Sequence, residues 1–176
     1  MNRIKEITPG EMTPEQTRVF EELTAGRGRI LTPYKVWIHS PTIASGMEKI
    51  GTFLNKRGSL SPREVEIGIL IIARHWQSDY VLQAHIREGR RVGLSDAVID
   101  AVCDGRDPPL TDAHERAVHD FARVLADNGK PADEAFAAFE RVLGRDGIAE
   151  VLVLIGYYTS VALAMKVHDV PTPQPA

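Results

Sequence analysis

The segment of residues 61–76 constrains the fold more than any other part of the chain. Its first four residues, Ser61-Pro62-Arg63-Glu64, form a helix start signal: the serine can cap the helix, the proline suits the first helical position, and the glutamate can return to the serine N–H. The helix that follows is apolar on most of its circumference, although Glu66 lies inside it. Such a helix must be buried nearly all round, so other elements have to pack on several sides of it.

Helix signals also dominate the rest of the chain. Capping residues, apolar residues at helical spacing, and glycine stops predict further helices on both sides of this segment. Residues 27–40 mix aromatics, glycine and proline, and are predicted to be a loop packed on the domain. No stretch alternates strictly between apolar and polar residues, which argues against strands. The predicted fold is all-α with seven or eight helices, at residues 14–25, 41–56, 61–76, 78–91, 95–103, 112–127, 131–143 and 148–168.

The composition is typical of a soluble globular domain. Of 176 residues, 43% are apolar and 26% are charged, and the net charge of −3 opposes binding to a phosphate backbone. The one cysteine, Cys103, cannot close an intrachain disulfide. The chain start lacks the apolar core of a signal peptide, and the most apolar stretch, residues 151–165, has 15 residues where a bilayer span needs about 20. We therefore expect a cytoplasmic protein that binds neither nucleic acid nor membranes, with residues 151–165 as a buried core helix.

A carboxylate and an imidazole are the strongest candidates for chemistry. Glu66 lies in the helix of residues 61–76, and His85 lies in the next helix, where it shares a face with Ser78 and Val81. If the two helices form an antiparallel hairpin that turns near residues 77–79, Glu66 and His85 can meet across the helix interface. A carboxylate beside an imidazole can support proton transfer, because it fixes the tautomer of the ring. The alternative is a structural pair that ties two helices together.

These residues resemble a known family. Their spacing is similar to the signature of the carboxymuconolactone decarboxylase and alkylhydroperoxidase D-like (AhpD-like) superfamily, and the resemblance extends over about residues 30–170. It implies an AhpD-like domain over residues 31–170, which leaves residues 1–30 as an N-terminal helical extension. The proline-rich residues 171–176 are expected to form a flexible tail. The run from Glu150 to Tyr158 and the segment from Tyr34 to Pro41 also resemble that family. The core of the match is Glu66, eleven further residues, Ser78-Asp79-Tyr80-Val81, and His85.

The two branches of the superfamily imply different activities. The peroxidase branch carries a Cys-x-x-Cys pair where this chain has Ser78 and Val81, so the dithiol mechanism lacks both of its thiols. The decarboxylase branch has a tyrosine where Tyr80 stands. The resemblance therefore implies a cofactor-independent carboxy-lyase-like enzyme of aromatic compound catabolism that acts on a small carboxylated or lactone metabolite. In it His85 would donate or shuttle a proton, Glu66 would orient His85, and Ser78 and Tyr80 would hydrogen-bond the substrate.

Three further residues are candidates for substrate contact: Trp37, His39 and Trp76. Trp37 and His39 could instead belong to an aromatic loop that packs on the helical core. Trp76 could instead only mark the end of its helix, without contacting a substrate. Glu66 and His85 supply at most two metal ligands, so we predict no metal and no cofactor. The resemblance also implies self-association, as a homotrimer or hexamer.

Two other functions stay open at this stage. The chain could be an AhpD-like antioxidant protein that uses Cys103, perhaps across subunits. It could also be a non-catalytic helical binding module in which Glu66 and His85 only join two helices.

Overall fold

The computed structural model describes residues 2–25 and 28–172, and its described part is all-helical. This confirms the all-α fold of seven to eight helices, since these residues form eight α-helices, one 3-10 helix (Pro9–Glu11) and no strand. Residues 26 and 27, where the first helix and the predicted loop were expected to meet, and residues 173–176 of the predicted tail lie outside the described part. The α-helices are α1 (Pro14–Thr24), α2 (Thr32–Trp37), α3 (Pro41–Lys56), α4 (Pro62–His75), α5 (Asp79–Arg91), α6 (Asp96–Asp104), α7 (Ala113–Asp127) and α8 (Asp133–Val167).

Helix α4 lies at the centre of the molecule. It packs against α3, α5, α6, α7 and α8, and every residue from Glu64 to Ala73 is buried. Its predicted capping box is present: the Ser61 Oγ accepts from the Glu64 N–H at 3.3 Å, and a Glu64 carboxylate oxygen accepts from the Ser61 N–H at 2.6 Å. The expectation that this helix is buried nearly all round is confirmed.

The other predicted helix starts also depend on local hydrogen bonds. Thr13 accepts from the Gln16 N–H, Ser95 accepts from the Val98 N–H, and Asp112 caps α7 through two backbone N–H groups. Each of these bonds closes within three residues, so the sequence alone contains the information that places the helix start.

The predicted loop over residues 27–40 is wrong for its middle part, where residues 32–37 form the short helix α2. Six residues cannot sustain an isolated helix in water, so packing has to stabilise it. Tyr34 and Trp37 are one turn apart, and both are buried as α2 packs against α3 and α8. The loop prediction failed because this stabilisation comes from distant parts of the chain.

Helix α8 is broken once, at Gly144, where φ is +69°. The predicted end of one helix at this glycine is confirmed, because a left-handed backbone conformation interrupts the helix there. By length and composition alone α8 could cross a membrane, but half of its most apolar 18-residue stretch is buried inside the molecule. The expectation of a buried core helix over residues 151–165 is wrong for its outer face, where Leu152, Val153 and Leu163 are exposed.

Candidate functional site

The helix hairpin of α4 and α5 brings Glu66 and His85 together. The chain reverses through residues 76–78, with Gln77 in a left-handed conformation at φ +49°. The His85 Nδ1 then lies 2.8 Å from the Glu66 Oε2. The predicted contact between these two residues is confirmed.

The two partners of this contact differ in their access to solvent. The Glu66 side chain is 5% exposed and that of His85 is 19% exposed. A carboxylate accepts the hydrogen bond, so the ring proton lies on Nδ1 and Nε2 is the remaining nitrogen. Within the described residues Nε2 has no hydrogen-bond partner. The His85 and Tyr158 rings pack edge to face, with 5.2 Å between the ring centroids.

His85 forms part of the wall of a cavity between α2, α3, α5 and α8. The cavity volume is about 630 Å³, within the range of sites that bind small molecules. It reaches the surface, because Arg29, Leu31, Asn55 and Lys56 in its wall are exposed. Its other wall residues are Ile30, Thr32, Pro33, Tyr34, Gly51, Thr52, Tyr80, Val81, Ala84, Tyr157, Tyr158 and Val161.

Glu66 faces a second, smaller cavity of about 260 Å³. The walls of the two cavities share Asn55 and Lys56, so the cavities adjoin, and Glu66 lines one while His85 lines the other. Glu88 also lines the smaller cavity, and its hydrogen bond from Arg91 lowers the pKa of this carboxyl. Glu66 and His85 therefore each border a cavity. A carboxylate–histidine pair that only joined two helices could be packed inside the core with no cavity beside it.

All four tyrosines of the sequence line the larger cavity. The hydroxyls of Tyr34 and Tyr157 lie 3.2 Å apart, and the rings of Tyr157 and Tyr158 pack edge to face. Burial raises the pKa of Tyr34, and it also raises the pKa of Tyr158. Both phenols therefore remain protonated at neutral pH and can act in hydrogen bonds.

Sequence pattern singles out only Tyr80 among these tyrosines as a site residue. Tyr80 is half-buried in the wall of the cavity, close in sequence to His85. The three others belong to α2 and α8, which are far apart in sequence. The available signal was the pair Tyr157-Tyr158 within the apolar run of residues 151–165, because a buried phenol needs a partner that phenylalanine would not need.

The remaining predicted site residues do not line this cavity. Ser78 is buried at the start of α5, and within the described residues its hydroxyl has no hydrogen-bond partner. Trp37 is buried behind the wall, with its ring edge-on to Tyr34 and Tyr157 at 5.3 and 6.0 Å. The structure thus brings Trp37 against the tyrosines and leaves Ser78 outside the wall. Their proposed contacts with a substrate stay predictions.

His39 and Trp76 lie elsewhere. The exposed His39 donates from Nε2 to the Lys5 carbonyl at 2.8 Å, and the Trp76 indole donates to the Thr159 hydroxyl at 3.1 Å. Neither residue lies in the wall around His85. Their predicted substrate contact is untested as well.

Cys103 is half-buried in α6, outside the cavity wall. Burial, with the nearby Asp100 and Asp104, raises the pKa of its thiol to about 11. The reactive thiolate is therefore scarce at neutral pH. Over residues 2–25 and 28–172, no three His, Cys, Asp or Glu side chains form a group that could hold a metal ion.

Solved structures match almost the whole chain, although no family model and no curated protein matches it. An uncharacterized peroxidase-related protein from Silicibacter sp. TM1040 has a TM-score of 0.78 at 15% identity, over 98% of this chain and 92% of that one. The alkylhydroperoxidase AhpD core of a peroxidase-related protein from Ralstonia eutropha JMP134 gives 0.76 at 15% identity, over 98% and 93%. The debrominase Bmp8 in complex with 2,3,4-tribromopyrrole gives 0.73 at 12% identity, over 97% and 91%.

The chain therefore has the same helical fold as these AhpD-like proteins, as its sequence pattern predicts. At these identities the likeness establishes the fold. One fold supports several chemistries, so the activity has to be argued from the residues around His85.

Proposed function

We propose that this protein is a cofactor-independent acid–base enzyme of the carboxymuconolactone decarboxylase type, acting on a small carboxylated or lactone metabolite. The observation that carries the proposal is the hydrogen bond from His85 to the buried Glu66, made at the wall of a cavity that reaches solvent. A histidine that only joins two helices does not need its second ring nitrogen, whereas a histidine that transfers protons uses that nitrogen.

Decarboxylation would proceed without an external electron acceptor. The bond between the carboxylate and the adjacent carbon breaks, its electron pair is delocalised into a neighbouring carbonyl, and carbon dioxide leaves. His85, which takes a proton from solvent on Nε2 and so becomes an imidazolium, then delivers this Nε2 proton to the carbanion, while Nδ1 keeps its proton in the hydrogen bond to Glu66. Tyr80 would donate a hydrogen bond to the carbonyl oxygen as negative charge develops there.

The surroundings of His85 suit this chemistry. Val81, Ala84 and Val161 make part of the cavity wall apolar, which lowers the solvation of a bound carboxylate. The debrominase Bmp8, a protein of the same fold, is described in complex with a small ring compound. Both observations support a small organic molecule as the ligand.

The test compares His85→Ala with His114→Ala, which removes a second histidine that is bonded to a glutamate of α4. Carbon dioxide release is measured over a panel of carboxylated lactones and β-keto acids, and circular dichroism checks the fold. We expect turnover to vanish in His85→Ala and to persist in His114→Ala. Wild-type rates in His85→Ala would remove the proposed role of this residue.

The redox alternative depends on Cys103 alone, since Ser78 and Val81 occupy the positions of the family's two thiols. The raised pKa of Cys103 and its place outside the cavity wall both weigh against a peroxidatic thiol. We therefore do not propose a peroxidase.

Self-association is a separate part of the proposal. Leu152, Gly156, Leu163 and Val167 form an exposed, mainly apolar stripe along α8, and such stripes are typical of protein interfaces. We expect Leu163→Glu to lower the oligomeric state measured by light scattering. A monomeric wild-type protein would contradict this. The cytoplasmic location and the absence of nucleic-acid and membrane partners stay predictions.

A further inference from the structure

A second carboxylate lies near His85, in addition to that of Glu66. Glu88 follows His85 by three residues in α5, so the two side chains lie about one helical turn apart on the same side of the helix. Glu88 also lines the smaller cavity that Glu66 faces. Each carboxylate favours the imidazolium form of the ring, because opposite charges attract at short range. Two unopposed carboxylates would therefore hold the proton of His85 more firmly than one does.

Arg91 opposes the charge of this second carboxylate. Its Nε donates to both oxygens of Glu88 at 2.9 Å, and a terminal N–H group donates to one of them as well. The hydrogen bonds from Arg91 lower the pKa of the Glu88 carboxyl, and the charge of His85 acts in the same direction. Glu88 is therefore ionised at neutral pH, and its charge interacts with both Arg91 and His85.

Arg91 also acts on Glu66, because it lies in the wall of the same smaller cavity. Its hydrogen bonds to Glu88 raise the pKa of the guanidinium, and the charge of Glu66 adds to this effect. The Glu88–Arg91 pair lies at the surface, where an ion pair contributes little to the free energy of unfolding. The main consequence of the pair is therefore the charge that it places around Glu66 and His85.

The other ionisable groups that face His85 come from several elements. Tyr158 of α8 packs edge to face with the ring, and burial raises the pKa of its phenol, so it stays neutral. The other ionisable residues in the wall of the larger cavity are Arg29, Tyr34, Lys56, Tyr80 and Tyr157. Besides His85 itself, Arg91 is the only cationic side chain hydrogen-bonded to Glu66 or Glu88 in the part of the chain that the structure describes.

We propose that Arg91 is a positioning residue, which holds Glu88 in an ion pair and thereby sets the upper pH limit at which His85 can still donate its proton. Without the guanidinium, Glu66 and Glu88 would together favour the imidazolium, so His85 would keep its proton to a higher pH. Without Glu88, the unpaired guanidinium would favour the neutral ring, and the proton would leave at a lower pH. The inference rests on the proposed function, because it concerns the regulation of the same proton donor.

NMR titration of the free protein tests this without any substrate. The pH midpoint of the His85 ring is followed through its ¹H–¹³C signal, which is assigned among the six histidines by its absence in His85→Ala. We expect Arg91→Gln to raise the midpoint by about 0.5 and Glu88→Gln to lower it by a similar amount, the size of an exposed charge interaction. In the double variant Glu88→Gln/Arg91→Gln the two shifts should nearly cancel. Equal midpoints in the wild-type protein and both single variants would overturn the proposal.

Arg90 provides a matched control on the same helix. Its Nε donates to the Asp96 Oδ1 at 2.7 Å, and it lines neither of the two cavities. Arg90→Gln should therefore keep the wild-type midpoint. Arg91→Lys retains the positive charge and should stay closer to the wild-type midpoint than Arg91→Gln does. A shift in Arg90→Gln as large as that in Arg91→Gln would contradict a local action of Arg91.

The titration and the turnover assay can fail independently. If His85→Ala abolishes carbon dioxide release while Arg91→Gln keeps the wild-type midpoint, the function stands and the role of Arg91 is wrong. If the midpoints shift as expected while His85→Ala keeps wild-type turnover, Arg91 acts on His85 and the catalytic role of His85 is wrong. If both expectations hold, the alkaline limit of the pH–rate profile in Arg91→Gln should rise by the same amount as the midpoint.

Discussion

Helix α4 carries two carboxylate–histidine pairs two residues apart, and the surroundings of the two pairs differ. Glu66 bonds His85 at 2.8 Å, and Glu64 bonds His114 at 2.9 Å, in both cases through the histidine Nδ1. Both carboxylates are almost completely buried. A separation of two residues points them to opposite sides of the helix, so one pair faces α5 and the other faces α7.

The difference lies in what else each carboxylate does. The second oxygen of Glu64 accepts the Ser61 N–H and completes the capping box, so the fold uses both of its oxygens. The second oxygen of Glu66 has no hydrogen-bond partner within the described residues, and Glu66 and His85 border two cavities. His114 borders a cavity as well, but one without any tyrosine in its wall. The same two residue types therefore form a structural tie in one place and a candidate site in the other.

The largest effect that separates the two pairs is expected from Glu66→Gln. The amide cannot fix the tautomer of the His85 ring or stabilise its imidazolium as a carboxylate does, and positioned general acid–base catalysis contributes about 10²- to 10⁴-fold. We expect kcat to fall about 100-fold with the unfolding free energy nearly unchanged, measured by steady-state kinetics and urea unfolding. Glu64→Gln is the matched control and should keep its turnover. A similar loss of kcat in both variants would erase the distinction between the pairs.

A smaller effect is expected from Glu64→Gln, and it concerns the unfolding free energy instead of kcat. Its amide offers one acceptor oxygen where the carboxylate offers two, so either the cap at Ser61 or the bond to His114 is lost. We expect a loss of about 1–2 kcal/mol in unfolding free energy, the usual cost of a cap or of a buried hydrogen bond. Urea unfolding measures it. Unchanged stability would show that this pair is not a tie.

The smallest effect concerns the tyrosines, which border only the Glu66–His85 side. Since burial raises the pKa of Tyr34, the unfolded chain loses this proton near pH 10 while the folded chain keeps it. The stability that comes from the neutral phenol is present below pH 10 and declines as the pH rises above that value. Tyr34→Phe should therefore lose less stability between neutral and alkaline pH than the wild-type protein does, as measured by thermal unfolding. His114→Phe, on the other side of α4, should follow the wild-type slope at alkaline pH, and equal slopes in all three proteins would contradict the expectation.

The helices could be predicted from the sequence to the extent that their signals are local. The caps at Ser61, Ser95 and Asp112 close within three residues, and the Glu66–His85 contact spans one tight hairpin. Helix α2 could not be predicted in this way, because Tyr34 and Trp37 are buried only by packing against α3 and α8. The pair Glu64–His114 was missed for the same reason, since it joins residues 50 positions apart.

The sequence by itself determined the all-helical architecture, the fully buried α4 and the meeting of a carboxylate with an imidazole, because short-range hydrogen bonds and helical spacing govern all three. Only the tertiary structure decided that four tyrosines share one cavity and that α8 leaves an apolar face exposed. Tyr34 and Tyr157 are 123 positions apart, and their hydroxyls meet only where α3 offers Gly51. Contacts over such separations depend on how whole helices pack, and no local pattern in the sequence encodes that packing.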